Sequence, residues 1–198
     1  TMKIELKYGR EGLLVDLADN LDVTVIRKPT MPVIEDSETA VVQALDNPVG
    51  TPPLRALAET ATSATIAICD ITRPVPNGLF LRPMIEQLIG GGISADAITV
   101  IVATGLHRPN LGAELEELIG DSWVLRQVKV VNHYARDDDA HVLVGKTKTR
   151  GSIIRLDRRF VDADLRIVTG LVEPHFMAGY SGGRKVIAPG LAHAETIT

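Results

Sequence analysis

The chain has 198 residues, 45% hydrophobic and 23% charged, which is ordinary for a globular protein with one sizeable core or two small lobes. A net charge of −4, no sustained basic run and only 4% aromatic residues argue against a nucleic-acid partner. The single Cys69 excludes an internal disulfide or a cysteine-rich zinc site. No stretch resembles a signal peptide or a membrane helix, so we expect a cytoplasmic protein without a membrane partner.

The first third of the chain predicts a β ribbon or meander followed by two helices. Three stretches between residues 3 and 26, KIELKYG, LLVDL and VTVIRK, alternate as strands do. After a proline-rich link at 29–32, the pattern over 37–46 predicts a helix with Ser37 as its N-cap. A second link, NPVGTPP, precedes a short helix predicted over 53–61.

From residue 64 onward, short apolar runs alternate with helical patterns. Runs of this kind are typical of parallel strands buried on both faces, and they occur at 64–69, 97–105, 127–133 and 165–172. Helices are predicted over 77–93 and 111–120, although Pro83 is awkwardly placed, and HVLVGKT and SIIRL predict antiparallel excursions. The predicted fold class is therefore α/β, with a largely parallel sheet flanked by helices and an N-terminal β ribbon or meander.

Side chains that can do chemistry follow each of the four predicted buried strands. They lie in DITR after the first strand, TGLHR after the second, NH after the third and EPH after the fourth. In open α/β sheets, ligands bind outside the carboxyl ends of the strands. The sequence therefore predicts that all four strand ends converge on one crevice.

Asp70 and Arg73, in DITRPVPN, allow two interpretations. They could form a local ion pair that braces a loop stiffened by two prolines. Alternatively, Arg73 could bind a carboxylate or phosphate, with Asp70 orienting it or bonding a ribose hydroxyl. The strand-end position does not decide between the two.

His107 and His175 occupy equivalent places after the second and fourth strands. A structural loop histidine is the simpler interpretation for each, but we favour a pair of acid/base groups acting from opposite sides of one substrate carbon. Their unperturbed pKa near 6.5 suits proton transfer at neutral pH. The other histidines, His133, His141 and His193, are expected to be ordinary surface or loop residues, and Cys69 to pack in its strand.

Lys185 follows the glycine pair in GYSGGRK, a stretch that does not fit a Walker A loop. Gly179 and Gly183 are too close together, and Val186 stands where a magnesium-binding hydroxyl belongs. A solvated lysine near a helix start is one interpretation. The other is a lysine that binds an anion or attaches a group covalently.

The segments DITRPVPN, ATGLHRP and EPHFMAGYSGGRKVIAPG, in this order, resemble the nickel-dependent lactate racemase family, in detail over residues 64–198. The resemblance implies a nickel-pincer nucleotide (pyridinium-3-thioamide-5-thiocarboxylic acid mononucleotide with nickel) attached to Lys185. It further implies that His107 and His175 are the paired proton-transfer histidines, that Arg73 orients the substrate, and that Asp70 lies near the cofactor.

The same resemblance implies a racemase or epimerase of a 2-hydroxy acid, lactate or a related one, working by hydride transfer to that cofactor. Residues 1–198 would be the N-terminal catalytic and cofactor-anchoring domain of a two-domain racemase, with the C-terminal domain absent from this chain. The expected partners are the small-molecule substrate, that missing domain and cofactor-maturation enzymes. The family's nickel-ligating histidine would fall past Thr198, so no metal ligand is assigned here, and the 198 residues alone could be inactive.

Two alternatives remain at this stage. One is a non-catalytic nucleotide- or phosphate-binding module of the same fold. The other is a hydrolase or transferase that uses Asp70 and His107 conventionally, although the sequence has no G-x-S-x-G nucleophile elbow to support it.

Overall fold

A computed structural model describes all residues, 1–198, as two compact units, Thr1–Ile34 and Glu35–Thr198. The first unit contains an antiparallel ribbon of β1 (Met2–Leu6) and β2 (Leu13–Leu17). This confirms the predicted N-terminal ribbon. The third strand predicted there, VTVIRK, is wrong: residues 23–34 are neither helix nor strand, and no neighbouring strand pairs with their backbone groups.

The second unit alternates strands and helices along the chain. In order these are α1 (Ser37–Asp46), α2 (Leu54–Ala58), β3 (Ala64–Cys69), α3 (Asn77–Gly90), β4 (Ile98–Ala103), α4 (Ala113–Ile119), α5 (Ser122–Gln127), β5 (Lys129–Asn132), β6 (His141–Lys146), β7 (Ile153–Asp157), α6 (Arg158–Val161), β8 (Leu165–Val168), β9 (Pro174–His175), β10 (Gly179–Tyr180), α7 (Arg184–Ile187) and α8 (Ala194–Ile197). None of the helices is both long and apolar enough to cross a membrane.

The main sheet has four parallel strands in the order β5-β4-β3-β8. The α/β fold with a largely parallel sheet is therefore confirmed, as is the antiparallel pairing of β6 with β7. The chain moves from β3 through β4 to β5 and then returns to the other side of β3 with β8. A crevice forms where a doubly wound sheet reverses its strand order in this way, so β3 and β8 define the expected binding edge.

Both faces of the sheet are buried, because the strands carry apolar side chains that alternate between the two faces. In β3, Ile66 and Ile68 face the larger core beneath α1 to α5, while Ala67 faces the smaller core. That smaller core also contains Ile101 of β4 and Val186 of α7. Burying each such aliphatic side chain contributes about 1.5–3 kcal/mol, and the smaller core seats α7 on the sheet.

Local signals explain where helices begin. Asp36, not Ser37, caps α1: its carboxylate accepts a hydrogen bond from the Thr39 backbone N–H at 3.0 Å. The helix α5 was not predicted, although Asp121 caps it by accepting from the Trp123 N–H at 2.7 Å. Gly120, in a left-handed conformation, separates α5 from α4.

Candidate active site

A cavity of about 630 Å³ lies beside the carboxyl ends of β3 and β4 and against α7. That size is within the usual range for small-molecule sites. The structure brings all five site residues predicted from the sequence to its walls: Asp70, Arg73, His107, His175 and Lys185. Their chemical roles remain predictions.

The third strand end does not contribute to this cavity, contrary to the sequence prediction. Asn132 is buried and exchanges hydrogen bonds with the backbone of Asn110. His133 is also buried and points into a separate network. The reason is strand order: β5 is the outer strand, two places from β3.

Asp70 is buried at the end of β3 and makes a short contact with His107. Its Oδ2 lies 2.6 Å from His107 Nδ1, and its Oδ1 accepts from both the backbone N–H and the hydroxyl of Thr72. A carboxylate can only accept, so the proton in the His107 contact is assigned to Nδ1. This leaves His107 Nε2, on a largely exposed ring, with a free lone pair.

His175 is held in the opposite tautomer. Its Nδ1 accepts hydrogen bonds from the backbone N–H groups of Met177 at 3.2 Å and Ala178 at 3.1 Å. Because Nδ1 accepts, a neutral ring carries its proton on Nε2. When neutral, His107 therefore presents a proton acceptor at Nε2, and His175 presents a proton donor at Nε2.

The surroundings of His175 favour the neutral ring. Desolvation lowers the pKa of His175, and the positive charges of Lys185 and Arg73 lower it further, while Glu173 acts in the opposite direction. The two cations come from different elements, Lys185 from α7 and Arg73 from the loop after β3.

Arg73 pairs with Glu173 and not with Asp70. The distance from Arg73 Nη1 to Glu173 Oε1 is 2.7 Å, and Nε and Nη2 of Arg73 make no hydrogen bond. The local Asp70–Arg73 pair considered from the sequence is therefore wrong, because the Asp70 carboxylate is already occupied by Thr72 and His107. Sequence reasoning assigned no role to Glu173, and its only signal was a position two residues before His175.

Lys185 lies in the short helix α7 and has neither an ion pair nor a hydrogen bond from its side chain. Two glycines precede the helix, Gly182 with φ +71° and Gly183 with φ +48°. A Cβ on Gly182 would lie 3.0 Å from a Val172 methyl group, so only glycine allows this close approach. The glycine pair thus allows the backbone turn that places Lys185 beside the cavity, where its amine has no acidic partner.

The sequence had suggested that the three remaining histidines are ordinary surface or loop residues, but the structure buries all three. His133, His141 and His193 are all at least nine-tenths buried, and their rings stack edge to face, with centroids 5.0 Å apart in each successive pair. They were misjudged because tertiary contacts, not an apolar pattern along the chain, bury them: the His193 N–H donates to the Arg155 carbonyl of β7, and His133 contacts Asp157 at the end of β7. We call these three residues the histidine column.

The histidine column is anchored by a buried carboxylate. His133 Nδ1 lies 3.2 Å from Asp157 Oδ2, and its Nε2 lies 3.1 Å from the carbonyl oxygen of Ala192. Burial opposes ionisation of Asp157, but hydrogen bonds from Arg159 and His133 lower its pKa to about 2. The column therefore ties the segment after α7 to the sheet.

Cys69 packs against the smaller core, as predicted, and also borders the cavity. Burial raises the pKa of its thiol, which keeps it protonated. The structure has no group of three or more His, Cys, Asp or Glu side chains arranged to hold a metal ion.

The fold and the cavity define an open parallel α/β domain with a mostly apolar cavity at the carboxyl ends of β3 and β4, bordered by the five ionisable side chains. Comparison with known proteins narrows this class. A family model described as the lactate racemase N-terminal domain matches residues 8–198, and the chain belongs to that family.

Curated relatives support the same assignment. The chain is 35% identical to a lactate racemase of Thermoanaerobacterium thermosaccharolyticum over 196 residues, which is 98% of this chain and 45% of that protein. It is 36% identical to a lactate racemase of Lactiplantibacillus plantarum over 165 residues, 83% of this chain and 38% of that protein. The chain thus spans less than half the length of these relatives.

Solved structures agree on the fold. The lactate racemase apoprotein from Thermoanaerobacterium thermosaccharolyticum superposes with a TM-score of 0.83 at 34% identity, covering 99% of this chain and 45% of that one. A crystal structure of a Thermotoga maritima protein gives a TM-score of 0.64 at 24% identity, covering 81% of this chain and 39% of that one. The second likeness concerns the fold alone.

Proposed function

We propose that this chain is the N-terminal, cofactor-anchoring and catalytic domain of a two-domain racemase or epimerase that acts on lactate or a related 2-hydroxy acid. One observation carries the proposal: two histidines of opposite tautomer border one cavity beside a lysine with no partner. Membership of the lactate racemase family and two relatives named lactate racemase support it.

His107 is proposed to remove the hydroxyl proton of one enantiomer. Asp70 holds the proton on Nδ1, so the lone pair on Nε2 is available as the base. The carboxylate also stabilises the imidazolium that forms when the proton arrives, as an orienting carboxylate does in other acid/base pairs. Asp70 is thus a positioning residue for His107, and its proposed proximity to the cofactor is compatible with its place at the cavity wall.

His175 is proposed to serve the opposite enantiomer, whose hydroxyl faces the other side of the site. The neutral ring can donate a hydrogen bond from Nε2. To exchange a proton there, Nδ1 has to become protonated and release the N–H groups of Met177 and Ala178. The turn after His175 is therefore expected to open during turnover.

Arg73 is proposed to bind the substrate carboxylate. Its guanidinium lines the cavity and keeps Nε and Nη2 free of protein partners, which leaves donors for a planar carboxylate. The charge also keeps the 2-hydroxy acid oriented with its chiral carbon between the two histidines.

The residues present fit a covalently held nucleotide. The Lys185 amine has no acidic partner, the cavity is about 630 Å³, and a Cβ on Gly183 would meet nothing within 4 Å. Lys185 would carry the nickel-pincer nucleotide, inserted with the help of maturation enzymes, and Asp70 would lie near it. When bound, that group supplies the hydride acceptor that lets the chiral carbon lose its hydrogen.

The remaining part of the longer protein is proposed to cover the cavity. The segment that flanks the cavity carries four strongly exposed hydrophobic side chains, of which Met177 lines the cavity itself: Val172, Phe176, Met177 and Tyr180. Apolar groups clustered in this way mark interaction surfaces. A C-terminal domain that packs on them would exclude water from the reaction and would add the contacts, including nickel ligands, that residues 1–198 do not supply.

The test uses the full-length protein matured with nickel and its cofactor-building enzymes. Intact mass is expected to show an adduct that maps to Lys185 and is lost in Lys185→Ala. Racemisation of D- and L-lactate should fall by about 100-fold or more in His107→Ala and in His175→Ala, the usual scale for lost acid/base catalysis. Fully active protein with an unmodified Lys185, or full activity in either histidine variant, would refute the corresponding role.

A non-catalytic nucleotide-binding module is the second candidate. It is favoured by the two cations, Arg73 and Lys185, that border a cavity in an otherwise acidic chain. Calorimetry with nicotinic acid mononucleotide tests it. Binding by the full-length matured protein without racemisation of any 2-hydroxy acid would favour this candidate over the enzyme.

A further inference from the structure

The ion pair between Arg73 and Glu173 joins two segments that border the cavity, the loop after β3 and the segment that carries His175. Arg73 follows Asp70 in the loop after β3, and Glu173 precedes His175 after β8, 100 residues further along the chain. Asp70 in turn contacts His107. The pair therefore joins the His175 segment, by a 2.7 Å hydrogen bond, to the loop whose Asp70 contacts His107.

This pair is poorly suited to a purely stabilising role. The side chains of Arg73 and Glu173 are 28% and 37% exposed, and ion pairs with this much contact to water contribute little to stability. What the contact does determine is the direction of the guanidinium. Nη1 is bound to Glu173, while Nε and Nη2 remain available on a residue that lines the cavity.

Two hydrogen bonds hold the backbone of Glu173, so its carboxylate is anchored where it binds Arg73. Its N–H donates to Ser181 Oγ at 3.1 Å, and its carbonyl oxygen accepts from the Ser181 N–H at 2.9 Å. Ser181 is buried and also donates to the carbonyl of Leu171. The turn that leads into α7, which carries Lys185, is therefore joined at Ser181 to the segment that contains His175.

Glu173 also moderates the charge around His175. The charged groups that face His175 are Lys185 from α7, Arg73 from the loop after β3 and Glu173 from its own segment. Desolvation lowers the pKa of His175 most, the two cations lower it further, and only Glu173 acts to raise it. Loss of its charge leaves the imidazole facing two unopposed cations.

We propose that Glu173 is a positioning residue for substrate recognition: it holds Arg73 by Nη1 so that Nε and Nη2 bind the substrate carboxylate between His107 and His175. The inference rests on the proposed function, since it assigns Arg73 to a 2-hydroxy acid. The alternative is a competing latch, an ion pair that has to break before the substrate can bind, in which Glu173 competes with the substrate for Arg73.

The kinetic test compares Glu173→Ala, Glu173→Gln and wild type in the matured full-length protein, with D- and L-lactate. Losing a hydrogen bond between charged groups is expected to raise KM about tenfold in Glu173→Ala. The glutamine variant keeps an acceptor and should recover part of that loss, while kcat changes less than KM. Glu86→Gln is the matched control, because Glu86 also accepts one Arg hydrogen bond, from Arg82 on α3, away from the cavity.

A second readout uses the 198-residue chain without cofactor. In NMR titrations, Glu173→Gln should lower the pKa of His175 relative to wild type, and Glu173→Ala should broaden the Arg73 Nε–H signal as the guanidinium loses its support. Urea midpoints for each variant separate these effects from unfolding. Glu86→Gln should leave both signals unchanged.

The outcomes separate the two proposals. An unchanged KM overturns the role of Glu173 in recognition, and a lower KM in Glu173→Ala identifies it as a competing latch. Wild-type matured protein that racemises no 2-hydroxy acid refutes the proposed function. In that case the NMR signals still decide whether Glu173 holds Arg73, and unchanged Arg73 and His175 signals overturn the positioning role outright.

Discussion

Asp70 and His107 come from the ends of adjacent parallel strands, and Asp70 Oδ2 lies 2.6 Å from His107 Nδ1. The carboxylate is buried, whereas the imidazole is mostly exposed toward the cavity. This arrangement fixes the tautomer of His107 before any ligand arrives. The neighbouring strands thus supply a prepared proton acceptor at Nε2.

Replacing Asp70 by asparagine should impair proton transfer by His107, while the substrate can still bind. The amide can donate to Nδ1 and so favours the tautomer whose proton is on Nε2, which removes the base. We expect racemisation by the matured full-length protein to fall about 100-fold or more, with a smaller change in KM. Steady-state kinetics in both lactate directions measure this, and a kcat within twofold of wild type would contradict the role.

His175 should titrate below the usual histidine pKa of 6.5, because desolvation and then Lys185 and Arg73 disfavour the imidazolium. Nitrogen-15 NMR of the 198-residue chain is expected to show the neutral ring with its proton on Nε2. Lys185→Met removes one cation and should raise the pKa of His175. An unchanged titration in that variant, or a proton found on Nδ1, would be inconsistent with the described geometry.

Asp157→Asn should destabilise the domain strongly. The Asp157 carboxylate is fully buried and accepts from His133 and from the guanidinium and backbone of Arg159. Removing one partner of a buried ionic group typically costs about 3–5 kcal/mol. Urea unfolding measures the change, and Asp164→Asn serves as an exposed control whose carboxylate accepts hydrogen bonds from the loop residues Thr62 and Ser63.

The same carboxylate predicts acid sensitivity. The pKa of Asp157 is about 2 in the folded chain against an ordinary 3.8, so its contribution to the free energy of unfolding is present above 3.8. That contribution is lost as the pH falls through this interval toward 2. Asp157→Asn should therefore flatten the acid limb of the stability curve.

His141 predicts a second loss of stability at milder pH. Desolvation lowers its pKa, and the groups that face it are His133, Asp157, His193 and the carbonyl of Asp137. Because the unfolded chain binds a proton near pH 6.5 and the folded chain does not, the free energy of unfolding should decrease as the pH falls below 6.5.

His141→Asn tests this cause directly. The asparagine amide can still donate to the Asp137 carbonyl but does not titrate in this range. Urea midpoints measured on both sides of the histidine pKa should vary less in the variant than in wild type. If the variant and the wild type show the same pH dependence of stability, a group other than His141 causes it.

The sequence by itself determined the sheet and the edge where the site lies. The continuous apolar runs at β3 and β4 have to be buried on both faces, and this requires helices on each side of parallel strands. Once the strands are parallel, the residues that follow them share one edge. This is why Asp70, Arg73, His107 and His175 could be predicted to border one crevice, although the third strand end, with Asn132 and His133, was wrongly included. Lys185 follows no strand of the sheet, and only the family resemblance assigned it to the same site.

Only the tertiary structure decided which of these residues touch and which are buried. The Arg73–Glu173 pair joins positions 100 residues apart and the Asp70–His107 contact joins positions 37 apart. No local pattern encodes such contacts, because they depend on strand order. Tertiary packing also buries the histidine column, whose members follow no apolar pattern along the chain. Hydrophobic periodicity is a local property, whereas the partner of a polar group is set by packing.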